Sequence, residues 1–378
     1  MGWWFDAGVV HAAAAAVLTW VVMRWLHPFA TRLNLLDFPE GRKDHAHPTP
    51  ITGGLAMLVA FGLVGVVSLG SHASSTLVSF IAAAALLVAV GLYDDRHDLR
   101  WYWRILAQVV AALIMVYGAG VRVEQLGAAF GAEGLSLGYL AVPFTVFATV
   151  GIINAVNMVD GADGLAGLLV VAALVMLTGA SLYAGNAGLA RHALMVAGAV
   201  GAFLLYNMRF PWQRRAKAFM GNAGSAFLGL VIAWVMFRLT QNASHPVNPV
   251  LALWLVPVPI MDCLVLTARR LREGRSPFAA GRDHIHHFMI DAGFGPTQAA
   301  MTLTVATFGI GLTAGQAMRM DVPHPVLLGA FLLLCAFWYW LTSNRMRAIN
   351  ALHWVRSRAV FGDLEGAPAA QQQRADGR

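Results

Sequence analysis

The segment 154–165, NAVNMVDGADGL, places four polar side chains directly after an apolar run. Asn154, Asn157, Asp160 and Asp163 follow one another at intervals of three, which puts the two Asn side chains on one face of a helix end. The Gly residue after each Asp permits a turn that folds the carboxylates back toward the Asn residues. An isolated copy of such a segment would indicate only a turn. Here it predicts a polar cup at the end of a helix.

A second acidic cluster lies in GLYDDRHDLR, where Asp94 and Asp95 are adjacent. The sequence predicts both in a loop, just after a helix that ends near residue 93. Carboxylates at the edge of hydrocarbon cost about 2–3 kcal/mol each, and like charges repel. Two such clusters on one side of a membrane therefore predict a cation or basic partners beside them.

Basic, His-rich and Gly-rich segments accompany the acidic clusters. The candidate residues in DFPEGRKDHAHPTPITGG are Arg42, Lys43, His45 and His47; FMGNAGS supplies Phe219 and Asn222; and GRDHIHH supplies Arg282, His284, His286 and His287. Together these groups suit a nucleotide diphosphate, because a divalent ion bridges phosphate oxygens and cations neutralise their charge. The HxHH tract alone is also compatible with zinc. The oxygen-rich surroundings favour Mg²⁺ or Mn²⁺.

The elements that must position these residues are membrane helices. Of the 378 residues 58% are hydrophobic and only 12% are charged, which excludes a single water-soluble core. A span needs about 20 mainly apolar residues. We predict an all-α, polytopic membrane protein with about eleven transmembrane helices. The candidate runs lie near 4–26, 51–69, 74–93, 101–118, 137–158, 165–185, 190–207, 220–240, 249–268, 299–317 and 324–342.

The distribution of Lys and Arg predicts the orientation of the chain. Most of the 26 such residues fall on one side of the membrane if the N-terminus is outside. The C-terminus and the polar segments are then cytoplasmic. We expect one transmembrane domain over 1–361 and a disordered cytoplasmic tail over 362–378, where apolar residues are few. No basic helix or aromatic platform accompanies the positive charge, so nucleic-acid binding is not expected.

The motifs, in this order, resemble those of the polyprenyl-phosphate N-acetylhexosamine-1-phosphate transferases, glycosyltransferase family 4. The matching segments are DFPEGRKDHAHPTPITGG, GLYDDRHDL, NAVNMVDGADGL, FMGNAGS and GRDHIHH. The resemblance implies an enzyme of the bacterial inner (cytoplasmic) membrane, with its active site on the cytoplasmic face. The HIHH form is similar to the branch that transfers GlcNAc-1-phosphate from UDP-GlcNAc to undecaprenyl phosphate, releasing UMP and initiating a cell-envelope glycan.

The resemblance also implies roles for the site residues. Asp94 would contact the lipid phosphate, and Asp95, Asn157 and Asn222 would hold Mg²⁺ or Mn²⁺. Asn222 stands where the family usually has Asp, which puts the strength of metal binding in doubt. The remaining residues would bind the UDP-sugar. Lys43 and Phe219 would lie at uracil, and Asn154, Asp160 and Asp163 would surround the nucleotide. The diphosphate and sugar would contact Arg282, His284, His286 and His287, and the first loop would also contribute Arg42 and His45.

Other readings stay open at this point. The same chemistry could use another UDP-N-acetylhexosamine or UDP-MurNAc-pentapeptide. A different class of protein, an ion-coupled transporter, would use carboxylates along a translocation path. The one-sided distribution of carboxylates favours the enzyme. Homodimer formation is left open by the sequence.

Overall fold

The structure of the chain is a computed structural model that describes residues 2–38, 47–69, 75–131, 134–241, 247–278 and 281–358. The helices are α1 (Gly2–Leu26), α2 (Gly53–Leu69), α3 (Ser75–His97), α4 (Trp101–Ala119), α5 (Ala141–Val159), α6 (Leu165–Tyr183), α7 (Ala187–Asn207), α8 (Gly221–Thr240), α9 (Pro249–Leu255), α10 (Pro257–Arg272), α11 (Ile285–Asp291), α12 (Pro296–Arg319), α13 (His324–Thr342) and α14 (Arg345–Arg356). Two short antiparallel strands, β1 (Leu36–Asp37) and β2 (Thr49–Pro50), pair near the end of α1.

Every predicted apolar run contains helix, but fewer than eleven helices qualify as membrane spans. Among the described residues, 8 helices are long and apolar enough to cross a membrane, or up to 9 if a bent pair counts as one span. α2 is a shorter apolar helix, and α12 is long but is not among the 8. The chain is therefore an all-α, multi-pass membrane protein. The count of eleven and the orientation of the termini stay predictions, and the predicted tail at 362–378 lies outside the described residues.

The run at 249–268, which the sequence predicts as one span, is divided into two helices in the structure. α9 and α10 meet at a bend of 94°. Pro257 and Pro259 open α10, and Val256 before them has non-helical dihedral angles. Proline lacks an N–H and its ring clashes with the preceding turn, so the helix cannot continue through this point.

The acidic pair lies in a helix rather than in the predicted loop. α3 continues to His97, so Asp94 and Asp95 occupy its last turns. Successive residues of a helix point about 100° apart, since one turn takes 3.6 residues. The two carboxylates therefore face different neighbours, which a loop would not have dictated.

The centre of the bundle is α8. Most of its side chains are buried, and it packs against α2, α3, α5, α6 and α7. A helix that is apolar on all sides belongs in the interior. Because these helices surround α8, the position of its first turn decides what the polar residues at neighbouring helix ends can contact.

α3 and α8 touch backbone to backbone. A Cβ atom added at Gly91 would overlap the Cα and N atoms of Ala223. Asp95 lies one turn beyond Gly91 on the same face of α3. The absence of a side chain at residue 91 therefore brings Asp95 against the first turn of α8.

We expect Gly91→Ala to push α3 and α8 apart and to lower the free energy of unfolding by about 1–3 kcal/mol, as overpacking does. The control is Gly62→Ala on α2, where a Cβ atom would meet nothing within 4 Å. Thermal unfolding of the purified protein in detergent measures both. Equal melting temperatures for the two variants would contradict the close packing of α3 on α8.

Candidate active site

Three helix ends meet at one side of the bundle, and each brings a polar residue that the sequence singled out. α3 ends with the acidic pair, α5 ends with Asn157 and is followed by Asp160, and α8 begins at Gly221 beside Asn222. The structure thus joins three motifs that are far apart in the chain.

A continuous chain of hydrogen bonds links the three ends. The backbone N–H and the side-chain amide of Asn222 both donate to Asp95 Oδ1, each at 2.9 Å. Asn157 Nδ2 donates to Asn222 Oδ1 at 2.9 Å and to Ser225 Oγ at 2.8 Å. The carboxylate and the two amides proposed from the sequence as one ligand set are therefore direct neighbours.

The second carboxylate oxygen of Asp95, Oδ2, takes no part in this chain of hydrogen bonds. Asp95 Oδ2 is buried and accepts no well-aligned hydrogen bond among the described residues, although the Ala223 N–H lies near this carboxylate. Gly221, which has a φ of 69°, lies against it, and a Cβ atom there would overlap this oxygen. A buried carboxylate oxygen without a donor is costly, whereas a divalent cation satisfies it. Asp95, Asn157 and Asn222 offer the hard oxygen ligands that Mg²⁺ and Mn²⁺ prefer, so the residues present fit such an ion.

Asp94 faces away from this chain of hydrogen bonds and toward α4. Its Oδ1 accepts the Leu99 N–H at 2.7 Å, and its Oδ2 lies 3.5 Å from Arg104 Nη1. Asp94 is buried, while a third of the Arg104 side chain is exposed. The Arg104 guanidinium offsets the negative charge of the buried Asp94 carboxylate and is exposed enough to reach a ligand.

A cavity of about 30 Å³ opens beside Asp94 between α3, α4, α5 and α8. Asn154 and Asn157 both line it. Asn154 Nδ2 donates to Gln108 Oε1 on α4 at 2.7 Å. The structure therefore places Asn154 on the Asp94 side of the site, one helical turn deeper than Asn157. The other residues that line the cavity are Arg104, Asn222, Leu87, Val90, Gly91, Ala107, Ile153 and Ala226.

Further carboxylates gather around the turn after α5. Burial raises the pKa of the Asp160 carboxyl to about 7. The negative charges of Asp95, Asp163 and Asp37 act in the same direction, so these carboxylates lie within electrostatic reach of Asp160. Arg209 Nε donates to Asp163 Oδ2 at 2.7 Å. This concentration of negative charge favours a cationic ligand next to Asp160.

The first loop and the Gly-rich segment are joined through Phe219. Its N–H donates to Pro50 O at 2.8 Å, and its carbonyl accepts the Gly53 N–H at 3.1 Å. Ile51 forms a parallel bridge with it. This pairing places Phe219 next to the first residues of α2 and α8. Three candidates from the first loop, Arg42, Lys43 and His45, lie outside the described residues.

The His motif closes the site from the side of α10. His284 Nδ1 lies 2.7 Å from Asp262 Oδ2. The rings of His286 and His287 lie 4.1 Å apart. A Cβ atom at Gly161 would overlap His286 Nε2, so the motif touches the turn after α5. Burial, reinforced by the charges of neighbouring residues, holds the pKa of His286 well below its usual range, which keeps this ring neutral at pH 7.

The alternative of a zinc site at the His tract gains no support from the part of the chain that the structure describes. There, no group of three His, Cys, Asp or Glu side chains could hold a metal ion. His284 uses its Nδ1 for Asp262.

Several polar residues of the site were not proposed from the sequence. Two of them, Gln108 and Asp262, are polar groups within apolar runs, and this signal alone marks a functional candidate in a membrane helix. The others become recognisable only once the helix ends are brought together. The residues missed are Asp37, Arg104, Gln108, Asn207, Arg209 and Asp262.

Fold and site together define a class: a multi-pass helical membrane protein whose carboxylate-rich site is built on helix ends at one side of the bundle. The sequence profile of the family described as Glycosyl transferase family 4 matches residues 77–240, from the start of α3 to the end of α8.

Individual relatives extend this match over most of the chain. The undecaprenyl-phosphate alpha-N-acetylglucosaminyl 1-phosphate transferase of Yersinia pestis is 36% identical over 306 residues, 80% of this chain and 83% of the relative. The protein of the same name from Salmonella typhi is 36% identical over 307 residues, 80% of this chain and 82% of the relative. The one from Haemophilus influenzae is 33% identical over 347 residues, 90% of this chain and 94% of the relative. The chain belongs to glycosyl transferase family 4, which confirms the resemblance found in the motifs.

One buried amide ties two loops of the site together. Asn207 Oδ1 accepts the Gly164 N–H at 2.8 Å, and its Nδ2 donates to Ala218 O at 2.9 Å. We expect Asn207→Ala to leave both groups without a partner, which costs about 1–3 kcal/mol each when they are buried. Hydrogen–deuterium exchange of peptides covering 160–168 and 214–222 should then speed up.

The matched control for this variant is Asn186→Ala. Asn186 caps the other end of α7 by accepting the Leu189 N–H at 3.0 Å. It should leave exchange in the two site peptides unchanged. If Asn207→Ala also leaves them unchanged, Asn207 does not hold these loops.

Proposed function

We propose that this protein transfers a sugar-1-phosphate from a UDP-sugar, most directly GlcNAc-1-phosphate from UDP-GlcNAc, to undecaprenyl phosphate. The products are UMP and an undecaprenyl diphospho-sugar. The observation that carries the proposal is the buried Asp95 Oδ2 at the meeting point of three helix ends, for which the described part of the chain offers no hydrogen-bond partner. Support comes from the names of the relatives, which specify undecaprenyl phosphate and an N-acetylglucosaminyl 1-phosphate group.

Asp95, Asn157 and Asn222 would hold Mg²⁺ or Mn²⁺ in this proposal. When bound, the ion supplies positive charge to the diphosphate of the UDP-sugar. Asp160 lies within electrostatic reach of Asp95; burial is the main cause of its raised pKa, and the negative charges of Asp95, Asp163 and Asp37 add to it. The negative charge of these side chains thus favours a bound cation even before a substrate binds.

The donor diphosphate is assigned to the His motif and Arg282. The two ring nitrogens of His286 have no hydrogen-bond partner within the described residues, although the side chain is almost fully buried. A phosphate oxygen beside the turn at Gly161 could accept from this ring. Phe219 is the proposed platform for uracil, with Lys43 from the first loop, since an aromatic face stacks on a base.

The acceptor phosphate is assigned to the side of Asp94. A lone carboxylate would repel a phosphate, but the Asp94–Arg104 pair carries no net charge and leaves the guanidinium partly exposed. Arg104 can therefore donate to the phosphate oxygens while Asp94 fixes its position. Apolar side chains such as Leu87 and Ile153 line the same cavity, so the first carbons of the polyprenyl chain would lie against them.

The reaction needs orientation more than proton transfer. A phosphate monoester with a second pKa of about 6 is already mostly a dianion at pH 7, so its oxygen attacks without a general base. A new bond forms between this oxygen and the sugar-linked phosphorus, and the bond from that phosphorus to UMP breaks. One phosphoanhydride replaces another, so the free-energy change is small. Catalysis then rests on aligning two mutually repelling phosphates and neutralising their charge.

The proposed location is the bacterial cytoplasmic membrane, with the site on the cytoplasmic face. The segment between α7 and α8, at the site end of the bundle, holds Arg209, Arg214, Arg215 and Lys217. Short loops rich in Lys and Arg stay in the cytoplasm. A soluble UDP-sugar can then enter from the cytoplasm while the lipid acceptor stays in the bilayer.

The test is to incubate purified protein with radiolabelled UDP-GlcNAc, undecaprenyl phosphate and Mg²⁺. We expect labelled lipid and an equal amount of UMP. Asp94→Asn and Asp95→Asn should each lower turnover by about 10²–10³-fold, the scale of losing one electrostatic group of an active site. Glu124→Gln is the control, because Glu124 pairs with Arg122 in the loop between α4 and α5, at the opposite end of the bundle.

A panel of other UDP-N-acetylhexosamines and UDP-MurNAc-pentapeptide identifies the donor in the same assay. Absence of labelled lipid with every donor would overturn the proposed function. Near-normal turnover by Asp95→Asn would remove that carboxylate from the mechanism.

A further inference from the structure

A buried carboxylate on α10 engages the His motif. Asp262 is only 3% exposed, and it lies in the apolar run VPIMDCLVL. Oδ2 of this carboxylate lies 2.7 Å from His284 Nδ1, while its Oδ1 accepts the Ile285 N–H at 3.2 Å and the Trp338 indole N–H at 3.3 Å. A buried ionisable group in a membrane protein is costly and is therefore a candidate for function.

The same helix holds the chain just before the motif. Arg269, two turns after Asp262, donates from Nη2 to the carbonyl of Asp283 at 3.0 Å and from Nη1 to the carbonyl of Thr342. Residues seven apart lie on one face of a helix. Side chains of α10 therefore contact both the residue before His284 and the His284 ring itself.

The contact fixes which nitrogen of the ring faces the ligand. An ionised carboxylate can only accept hydrogen bonds, so His284 Nδ1 must carry the proton and donate to Asp262. Nε2, on the opposite edge of the ring, is left for another partner. The ring of His284 lies 5.6 Å from that of His286 and nearly parallel to it, so His284 belongs to the His cluster beside the turn at Gly161.

We propose that Asp262 is a positioning residue, which holds His284 with Nδ1 toward α10 so that Nε2 meets a phosphate oxygen of the donor diphosphate. This inference rests on the proposed function, in which the His motif contacts that diphosphate. A phosphate oxygen can only accept hydrogen bonds, so the contact with Nε2 forms when this nitrogen also carries a proton and donates. Asp262 does not touch the substrate; its effect passes through His284.

The kinetic test compares wild type with Asp262→Asn, His284→Gln and the double variant. Asp262→Asn keeps the shape of the side chain but removes the charge. It should lower kcat/KM for UDP-GlcNAc about tenfold or more, since a hydrogen bond to a charged group is lost, and change KM for undecaprenyl phosphate by less than about twofold. The double variant should be no worse than His284→Gln alone, because both changes remove one interaction.

Trp338→Phe is the matched control. It removes one hydrogen bond to Asp262 Oδ1 and leaves the Oδ2–His284 contact in place. Its kcat/KM for UDP-GlcNAc should stay within about threefold of wild type. Unchanged kcat/KM in Asp262→Asn, or losses that multiply in the double variant, would overturn the positioning role.

A spectroscopic measurement separates this inference from the proposed function. In protein labelled with ¹⁵N-histidine, one ring should show a protonated Nδ1 whose signal is lost in His284→Gln and shifts in Asp262→Asn. Failure of wild type to make labelled lipid would overturn the proposed function, and the ¹⁵N signal still reports the contact. A His284 signal that Asp262→Asn leaves unchanged would overturn the inference whatever the activity.

Discussion

The site depends on one buried contact, in which the carboxylate of Asp95 meets the first turn of α8. A carboxylate at the edge of hydrocarbon cannot stay charged without donors, and the backbone N–H and side chain of Asn222 supply them. A helix N-terminus is suited to this task, since its first N–H groups have no partner within the helix and its dipole favours negative charge. The missing side chain at Gly91 lets the two helices come close enough for this contact.

The remaining motifs are arranged around that contact. Asn157 reaches Asn222 from α5, and the turn that follows carries Asp160 toward Asp95 and Gly161 toward His286. In this way a polar site of a kind often found in water-soluble enzymes is built at one end of a membrane bundle. The proposed acceptor side and the proposed donor side are distinct, with the Asp94–Arg104 pair on one and the His motif on the other.

Much of this arrangement could be predicted from the sequence, because composition and motif order carry strong signals. Apolar runs gave the positions of helices, and the polar segments between them gave the candidate residues. The direction in which each side chain points could not be predicted. Asp94 and Asp95 face different helices because they lie in the last turns of α3 and not in a loop. Only the packing of the helices determines which of these two conformations the segment adopts. The bend at Pro257 had a local signal in its two prolines, but the apolar run concealed it. Partners such as Arg104 and Asp262 depend on contacts between distant segments.

The central claim, a divalent-cation site at Asp95, Asn157 and Asn222, is tested most directly by Mn²⁺ binding, measured by electron paramagnetic resonance, to wild type and to Asn222→Asp. In the structure, the Asn222 amide donates to Asp95 Oδ1 at 2.9 Å. A carboxylate in its place would face a like charge that only a cation relieves, and divalent affinity rises with ligand charge. We predict that Asn222→Asp binds Mn²⁺ about tenfold more tightly, equivalent to about 1.4 kcal/mol, while Asn222→Ala binds it more weakly. Equal Mn²⁺ affinity in all three proteins would contradict the account.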